Sequence, residues 1–297
     1  MQLRYLQNAT IMSVIRLGTR GSPLALRQTE LAIEHLKKAL PDTDFEIVKI
    51  STTGDNKQGW SLEQQGGVGL FTKELENALL ENRVDVAIHS AKDMPSLDPK
   101  GLRILGYLPR EDVSDVLVVK KGCKKPVFIA TSSPRRRAQA KPSYPNAVWS
   151  EIRGNVDTRL KKVASGSVDA TYLAAAGLNR LGIKEWPGVE FNPINLEEMV
   201  PAGGQGAIAL QCRVGDLDEV SQDFDQATNH AVKIERSFLA KLGIGCHTAF
   251  AVHYSEKKLL IYHESMAEPK AFKFEAESDD DINKSIDEIV ETLELKI

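Results

Sequence analysis

The chain has 297 residues, with 38 Lys and Arg against 41 Asp and Glu and a net charge of −3. Hydrophobic residues at 42% and charged residues at 27% are the proportions of a globular protein, which excludes a disordered or collagen-like chain. No run approaches the ~18 consecutive apolar residues of a membrane span. Three cysteines, Cys123, Cys212 and Cys246, are too few and odd in number for a disulfide framework, so a reducing cytoplasm is the expected location.

At roughly 100–200 residues per domain, two or three domains fit. Residues 1–13 lack the apolar stretch and cleavage pattern of a secretory signal and read as an extension. Strand-like runs follow at 14–18, 45–51, 84–89, 103–107, 115–120, 126–131, 147–152, 168–173 and 207–212. Amphipathic helices are predicted at 23–40, through Leu26, Ile33, Leu36 and Leu40, and at 70–81, through Phe71, Leu75, Ala78 and Leu79. This alternation predicts α/β units with a largely parallel sheet. Beyond residue 225 the order changes: a helix at 229–242, strands near 249–253, 258–263 and 270–276, and a helix at 280–295 read as a small α+β domain.

A weak internal echo links Thr19-Arg20-Gly21-Ser22-Pro23 to Thr131-Ser132-Ser133-Pro134. Each lies between a strand and a helix, with a Ser placed to cap and a Pro at the first helical position. A third such turn is Arg153-Gly154-Asn155, with Asn155 as the cap. Helix N-termini present free N–H groups to anions, although ordinary capping accounts for any one of these turns. Two similar halves would combine them into a cleft for anions.

Charge is unevenly spread. Residues 131–162 hold eight basic residues (Arg135, Arg136, Arg137, Lys141, Arg153, Arg159, Lys161, Lys162) against Glu151 and Asp157, a surplus of six that leaves −9 for the rest of the chain. A solvated surface, a nucleic-acid face or a pocket for a polycarboxylate or phosphate would each account for it. The run lacks interleaved stacking aromatics, which speaks against single-stranded nucleic acid. Arginines at strand-to-helix turns beside Ser and Thr suit planar carboxylates.

Val84-Asp85-Val86-Ala87-Ile88 forms a buried strand, with His89, Ser90, Lys92 and Asp93 at its carboxyl end. That is where open α/β sheets bind ligands. Asp93 is therefore a candidate catalytic carboxylate with Lys92 beside it; a turn cap before Pro95 is the plainer use. His89 is equally compatible with a core position. Cys246, in Gly243-Ile244-Gly245-Cys246-His247, is a candidate nucleophile or attachment point. Cys212 reads as a buried small hydrophobe and Cys123 as incidental. Neither metal-binding spacings nor nucleotide-binding glycine motifs occur.

Taken together, these motifs resemble the porphobilinogen deaminase (hydroxymethylbilane synthase) family. The matches run in order through Ile15 to Leu26, Ser51-Thr52-Thr53-Gly54-Asp55, Gly69 to Glu76, His89 to Pro95, Thr131 to Arg136, Ile152 to Leu160, Ala176 to Gly182, Gly204-Gln205-Gly206-Ala207 and Gly245-Cys246. The resemblance implies an α/β fold of two periplasmic-binding-protein-like domains around a cleft plus a small α+β C-terminal domain. The implied division is 14–105 plus 203–222, 106–202 and 223–297. It implies a dipyrromethane cofactor bound covalently through Cys246. Four porphobilinogen molecules would be deaminated and joined head to tail into hydroxymethylbilane.

Asp93 and Lys92 would be catalytic, and both would also contact the cofactor together with Arg135, Arg136, Thr131, Ser132 and Ser133. Arg20, Ser22, Gln28, Phe71, Arg153, Arg159 and Arg180 would bind substrate. Each pyrrole carries an acetate and a propionate, which suits the arginines. Asp93 would stabilise positive charge as ammonia leaves. The implied protein is a monomer with a small-molecule substrate and no metal, nucleic acid or membrane. Departures from the family pattern are Gln64 and Val68 where loop lysines are usual, Ile244 in the cysteine loop, and Pro134 in place of a leucine. A two-lobed solute-binding protein and a nucleic-acid-binding protein are the competing readings.

Overall fold

The computed structural model describes residues 14–52, 72–243, 248–276 and 278–294. The expected extension at 1–13 lies outside them, as do Phe71, Gln64, Val68, Ile244 and Cys246.

Two five-stranded sheets share one topology. The first contains β1 (Val14–Thr19), β2 (Asp44–Lys49), β3 (Val86–Ser90), β4 (Leu102–Tyr107) and β10 (Ile208–Arg213), in the order β2-β1-β3-β10-β4. The second contains β5 (Asp115–Lys120), β6 (Phe128–Ala130), β7 (Val148–Ser150), β8 (Ala170–Ala174) and β9 (Val189–Pro193), in the order β7-β6-β8-β5-β9. β1 pairs in parallel with β2 and β3, and β6 in parallel with β7 and β8. Each sheet then takes one antiparallel strand: β10 between β3 and β4, and β5 between β8 and β9. These two strands are the ones on which the chain passes between lobes, which is why a reversal appears in sheets otherwise built from strand–helix units. The topology is that of periplasmic-binding-protein-like α/β domains.

β9 was absent from the sequence reading. Val189-Glu190-Phe191-Asn192-Pro193 is only five residues long, ends on a proline, and pairs only with β5. Proline is tolerated on such an edge because one side of the ladder makes no bonds.

The helices of the lobes are α1 (Pro23–Ala39), α2 (Lys73–Leu80), α3 (Pro134–Ala140), α4 (Val156–Ala164) and α5 (Ala175–Arg180). α1 buries Ala32 and Leu36 against Ile15, Leu17, Val86 and Leu210. α4 buries Leu160 and Val163 against Val116, Val118 and Leu173. The C-terminal unit stacks α6 (Gln226–Lys241) and α7 (Asp279–Thr292) on the antiparallel sheet β11 (Phe250–Ser255), β12 (Lys258–His263) and β13 (Lys270–Lys273). Ile234, Phe238, Val252, Ile261, Ile282 and Ile286 form its core. It touches both lobes. Val232 on α6 packs with Ala91, Met94 and Ala207, while Ala251, Leu260 and Tyr262 meet Val200 and Ala138.

Candidate active site

The two echoing turns occupy equivalent places, after β1 and after β6. Ser22 caps α1, its Oγ accepting from the Ala25 N–H at 3.3 Å. Ser133 caps α3 by accepting from the Arg136 N–H at 3.3 Å. Proline follows each cap, where its fixed φ suits the first turn and no N–H is missed. Asn155 occupies the N-cap of α4 but makes no side-chain capping bond. There Gly154 takes φ +111°, and a Cβ would lie 2.7 Å from Thr158 Cγ2, so only glycine fits the turn.

After β3 the chain makes one turn of 3₁₀ helix, Ala91–Asp93. It places Lys92 and Asp93 at the carboxyl end of the strand. Lys92 Nζ donates to Gln205 Oε1 at 3.2 Å. Burial and the nearby Arg136 lower the Lys92 ammonium to about 8, against the opposing pull of Asp93 and Asp115. Arg159, on α4 of the other lobe, holds the Gly154 carbonyl at 2.9 Å through Nε. Burial, then Arg136 and Arg153, bring it down to about 10, while Asp93 acts in the opposite direction. Asp93 therefore lies within the electrostatic reach of cations from both lobes.

Beneath these groups lies a carboxylate that the sequence reading did not single out. Asp115, at the start of β5, is 0% exposed and accepts from Arg135 Nη2 at 2.7 Å and from Arg136 Nη2 at 2.7 Å. Arg136 Nε and Gln205 Nε2 add bonds at 3.1 Å each. Burial alone would raise this carboxyl, but Arg135 and Arg136 outweigh it and hold it well below the usual range. Arg135 and Arg136 are only 5% and 6% exposed. Their remaining bonds go to the Val200 and Tyr172 carbonyls. Ser132 donates to the Ile152 carbonyl at 2.8 Å, and Thr131 Oγ1 accepts from the Ser133 N–H at 3.2 Å. The motif 131–136 is thus largely bound up in internal bonds.

Gln28 is buried and exchanges hydrogen bonds with Ser90. Arg180 donates to the Gly206 carbonyl at 2.6 Å, and burial lowers it to about 10. Arg20 lies close enough to His89 to oppose its protonation. His89 itself is a core residue, 3.1 Å from Gln211 Oε1, and burial brings it to about 4.

The segments joining the lobes run side by side behind the acid-bearing turn. The Glu111 N–H donates to the Gly206 carbonyl, and the Ala91 N–H to the Ala207 carbonyl, both at 3.0 Å. A second group without a sequence signal locks them to the C-terminal unit. Glu235, on α6 and 0% exposed, accepts from both Arg110 Nη atoms at 2.8 and 2.9 Å and from the Gly204 and Tyr254 N–H groups at 2.7 and 2.9 Å. Burial would raise its carboxyl, but Arg110 and the hydrogen bond with His253 hold it at about 2. Asp115, Arg110 and Glu235 gave no periodic or motif signal of their own. Only the Gly-Gln-Gly run at 204–206 marked their neighbourhood.

A family model described as porphobilinogen deaminase, dipyromethane cofactor binding domain, matches residues 15–221. The chain is 43% identical over 250 residues to a porphobilinogen deaminase of Bacillus subtilis, spanning 81% of this chain and 79% of that one. It belongs to the porphobilinogen deaminase family. Similar agreement holds with the porphobilinogen deaminases of Deinococcus deserti, 40% identical across 83% of this chain and 82% of the other, and Paracoccus denitrificans, 43% identical across 80% and 78%.

The family's cofactor is dipyrromethane, a polycarboxylate, and the donors present suit it. Arg136, Arg153 and Arg159 lie close enough that Arg136 and Arg153 both depress the protonated form of Arg159. Carboxylates placed among these guanidiniums would relieve that repulsion. The tether position, Cys246, lies outside the described residues.

Proposed function

We propose that the chain makes hydroxymethylbilane from four porphobilinogen molecules by the chemistry of its family, with Asp93 as the catalytic carboxylate. The observation that carries this reading is the position of Asp93: on a short turn of one lobe, next to Lys92, and within the electrostatic reach of Arg159 from the other lobe. When bound, the dipyrromethane supplies the nucleophilic pyrrole carbon to which substrate rings are added. This chain's residues do the rest. Arg20, Arg153, Arg159 and Arg180, with Ser22, pair with acetate and propionate groups and orient each ring. Asp93 sits where positive charge develops on a porphobilinogen ring as its ammonia departs, and stabilises it. The same carboxylate relays the proton lost when aromaticity is restored. Lys92 sets an ammonium beside Asp93. Arg135 and Arg136, tied to Asp115, fix the floor of the site.

The nucleic-acid reading is disfavoured because Arg135 and Arg136 point inward to a carboxylate instead of forming an exposed basic stripe. We further propose a three-part division at 14–105 plus 203–222, 106–202 and 223–297, and a monomer working in the cytoplasm. Among the described residues no helix is long and apolar enough to cross a membrane.

Intact mass tests the reading directly. Protein purified from cells that make porphobilinogen should carry an excess equal to two pyrrole units, and Cys246→Ala should lose it. A wild-type mass equal to that of the bare chain, even after incubation with porphobilinogen, would refute it.

A further inference from the structure

Gln205 is fully buried at the meeting point of the lobes, next to Gly204, which takes φ +75°. Its amide nitrogen donates to the Val113 carbonyl at 2.7 Å and to Asp115 Oδ1 at 3.1 Å. Both partners only accept hydrogen bonds, so the amide cannot turn over without setting its oxygen against two other oxygens. The oxygen is therefore committed to the opposite side, where Lys92 Nζ donates to it at 3.2 Å. Val113 and Asp115 lie at the entry to the second lobe, and Lys92 lies on the acid-bearing turn of the first.

We infer that Gln205 is a positioning residue: an amide oriented by the second lobe that holds the Lys92 ammonium in place beside Asp93. The inference rests on the reading of Asp93 as the catalytic carboxylate. Among the groups acting on Lys92 are Arg135 and Arg136 from α3, Asp115 from β5 and Asp93 on its own turn. Burial and the two guanidiniums disfavour charge on Lys92, and the two carboxylates favour it. An amide oxygen favours the ammonium too, because a charged N–H is the stronger donor. The depressed ammonium, at about 8, shows how closely these influences balance. Through its 3.2 Å hydrogen bond Gln205 adds to the influences that keep Lys92 charged and in place, and it does so only while the segment between the lobes keeps its place.

The test follows the ¹³Cε signal of Lys92 through a pH titration, with the signal assigned by its loss in Lys92→Arg. In Gln205→Met, which keeps the bulk but has no carbonyl, the midpoint should fall by about one pH unit, a roughly tenfold rise in the neutral fraction. The alkaline limb of porphobilinogen turnover should move with it, and Lys92→Arg, permanently charged, should make that limb insensitive to Gln205→Met. Should Gln205→Met fail to fold, Gln205→Asn keeps an amide one methylene shorter, withdraws the oxygen from Nζ, and must lower the same midpoint. A midpoint that stays put in a folded variant, or one that falls while the alkaline limb does not, overturns the assignment. Absence of turnover in the wild type would refute the deaminase reading instead, and the titration would still decide for or against Gln205.

Discussion

Replacing Asp115 by Asn should cost stability far out of proportion to the size of the change. The asparagine has nearly the same volume, so packing is preserved, and the effect is electrostatic. In the wild type, four hydrogen bonds converge on this carboxylate from Arg135, Arg136 and Gln205, at 2.7 to 3.1 Å. The guanidinium side chains are 6% and 8% exposed, so water cannot compensate them. Removing one partner of such a buried pair costs about 3–5 kcal/mol, because charge is left uncompensated in a poorly polarisable interior. Here two cations share the anion, which places the estimate at the upper end. For a unit of this size that corresponds to roughly 10 °C in thermal midpoint.

The pH dependence carries a sign that can be checked. The folded Asp115 carboxyl is depressed, so the unfolded chain takes up its proton first, near its ordinary value of about 3.9. Its stabilisation is complete above that pH and fades as pH falls further. Asp115→Asn should therefore lose part of the acid-side slope that the wild type shows. Urea unfolding at pH 7 and between pH 3 and 5, followed by circular dichroism, measures both effects. A loss below about 1 kcal/mol at pH 7 would show that Arg135 and Arg136 are held by something other than Asp115, and the account of the site floor would fail.

Two further outcomes follow from the same geometry. Asp93→Ala should lower turnover by about 10²–10⁴-fold while leaving the thermal midpoint within a degree or two, as expected of a half-buried catalytic carboxylate that is not part of the core; near-normal turnover in single-turnover assays would remove Asp93 from the mechanism. Gly204→Ala would set a Cβ 3.0 Å from the Ala91 carbonyl carbon and 3.1 Å from the Lys92 nitrogen, at φ +75°. It should displace the acid-bearing turn and lower kcat, and wild-type kcat would show that this close approach is not needed.

Much of the architecture was legible in the chain. Strand–helix alternation, the Ser-Pro turns before α1 and α3, and the change of pattern after residue 225 are local signals. Capping chemistry and hydrophobic periodicity act over a few residues, and they mark where each element starts and which face is buried. The same signals located Lys92 and Asp93 at the carboxyl end of β3. β9 escaped because it is only five residues long and ends on a proline, which an edge strand tolerates since it does not need a full set of N–H donors. The reversed direction of β5 and β10 escaped because strand orientation is a property of the pairing and leaves no mark within either strand.

The chain's own chemistry determined the kinds of groups available: a dense set of arginines at helix starts, one acid after a buried strand, and a lone thiol in a glycine loop. Tertiary structure alone decided how those groups are used. Arg135 and Arg136 look from the sequence like open anion receptors, yet folding brings Asp115, 20 and 21 residues away, into contact with them. Gln205 and Glu235 acquire their roles only when segments some 90 to 125 residues distant close around them. Burial multiplies the strength of each such contact, and which groups become buried together is fixed by how the lobes close on one another.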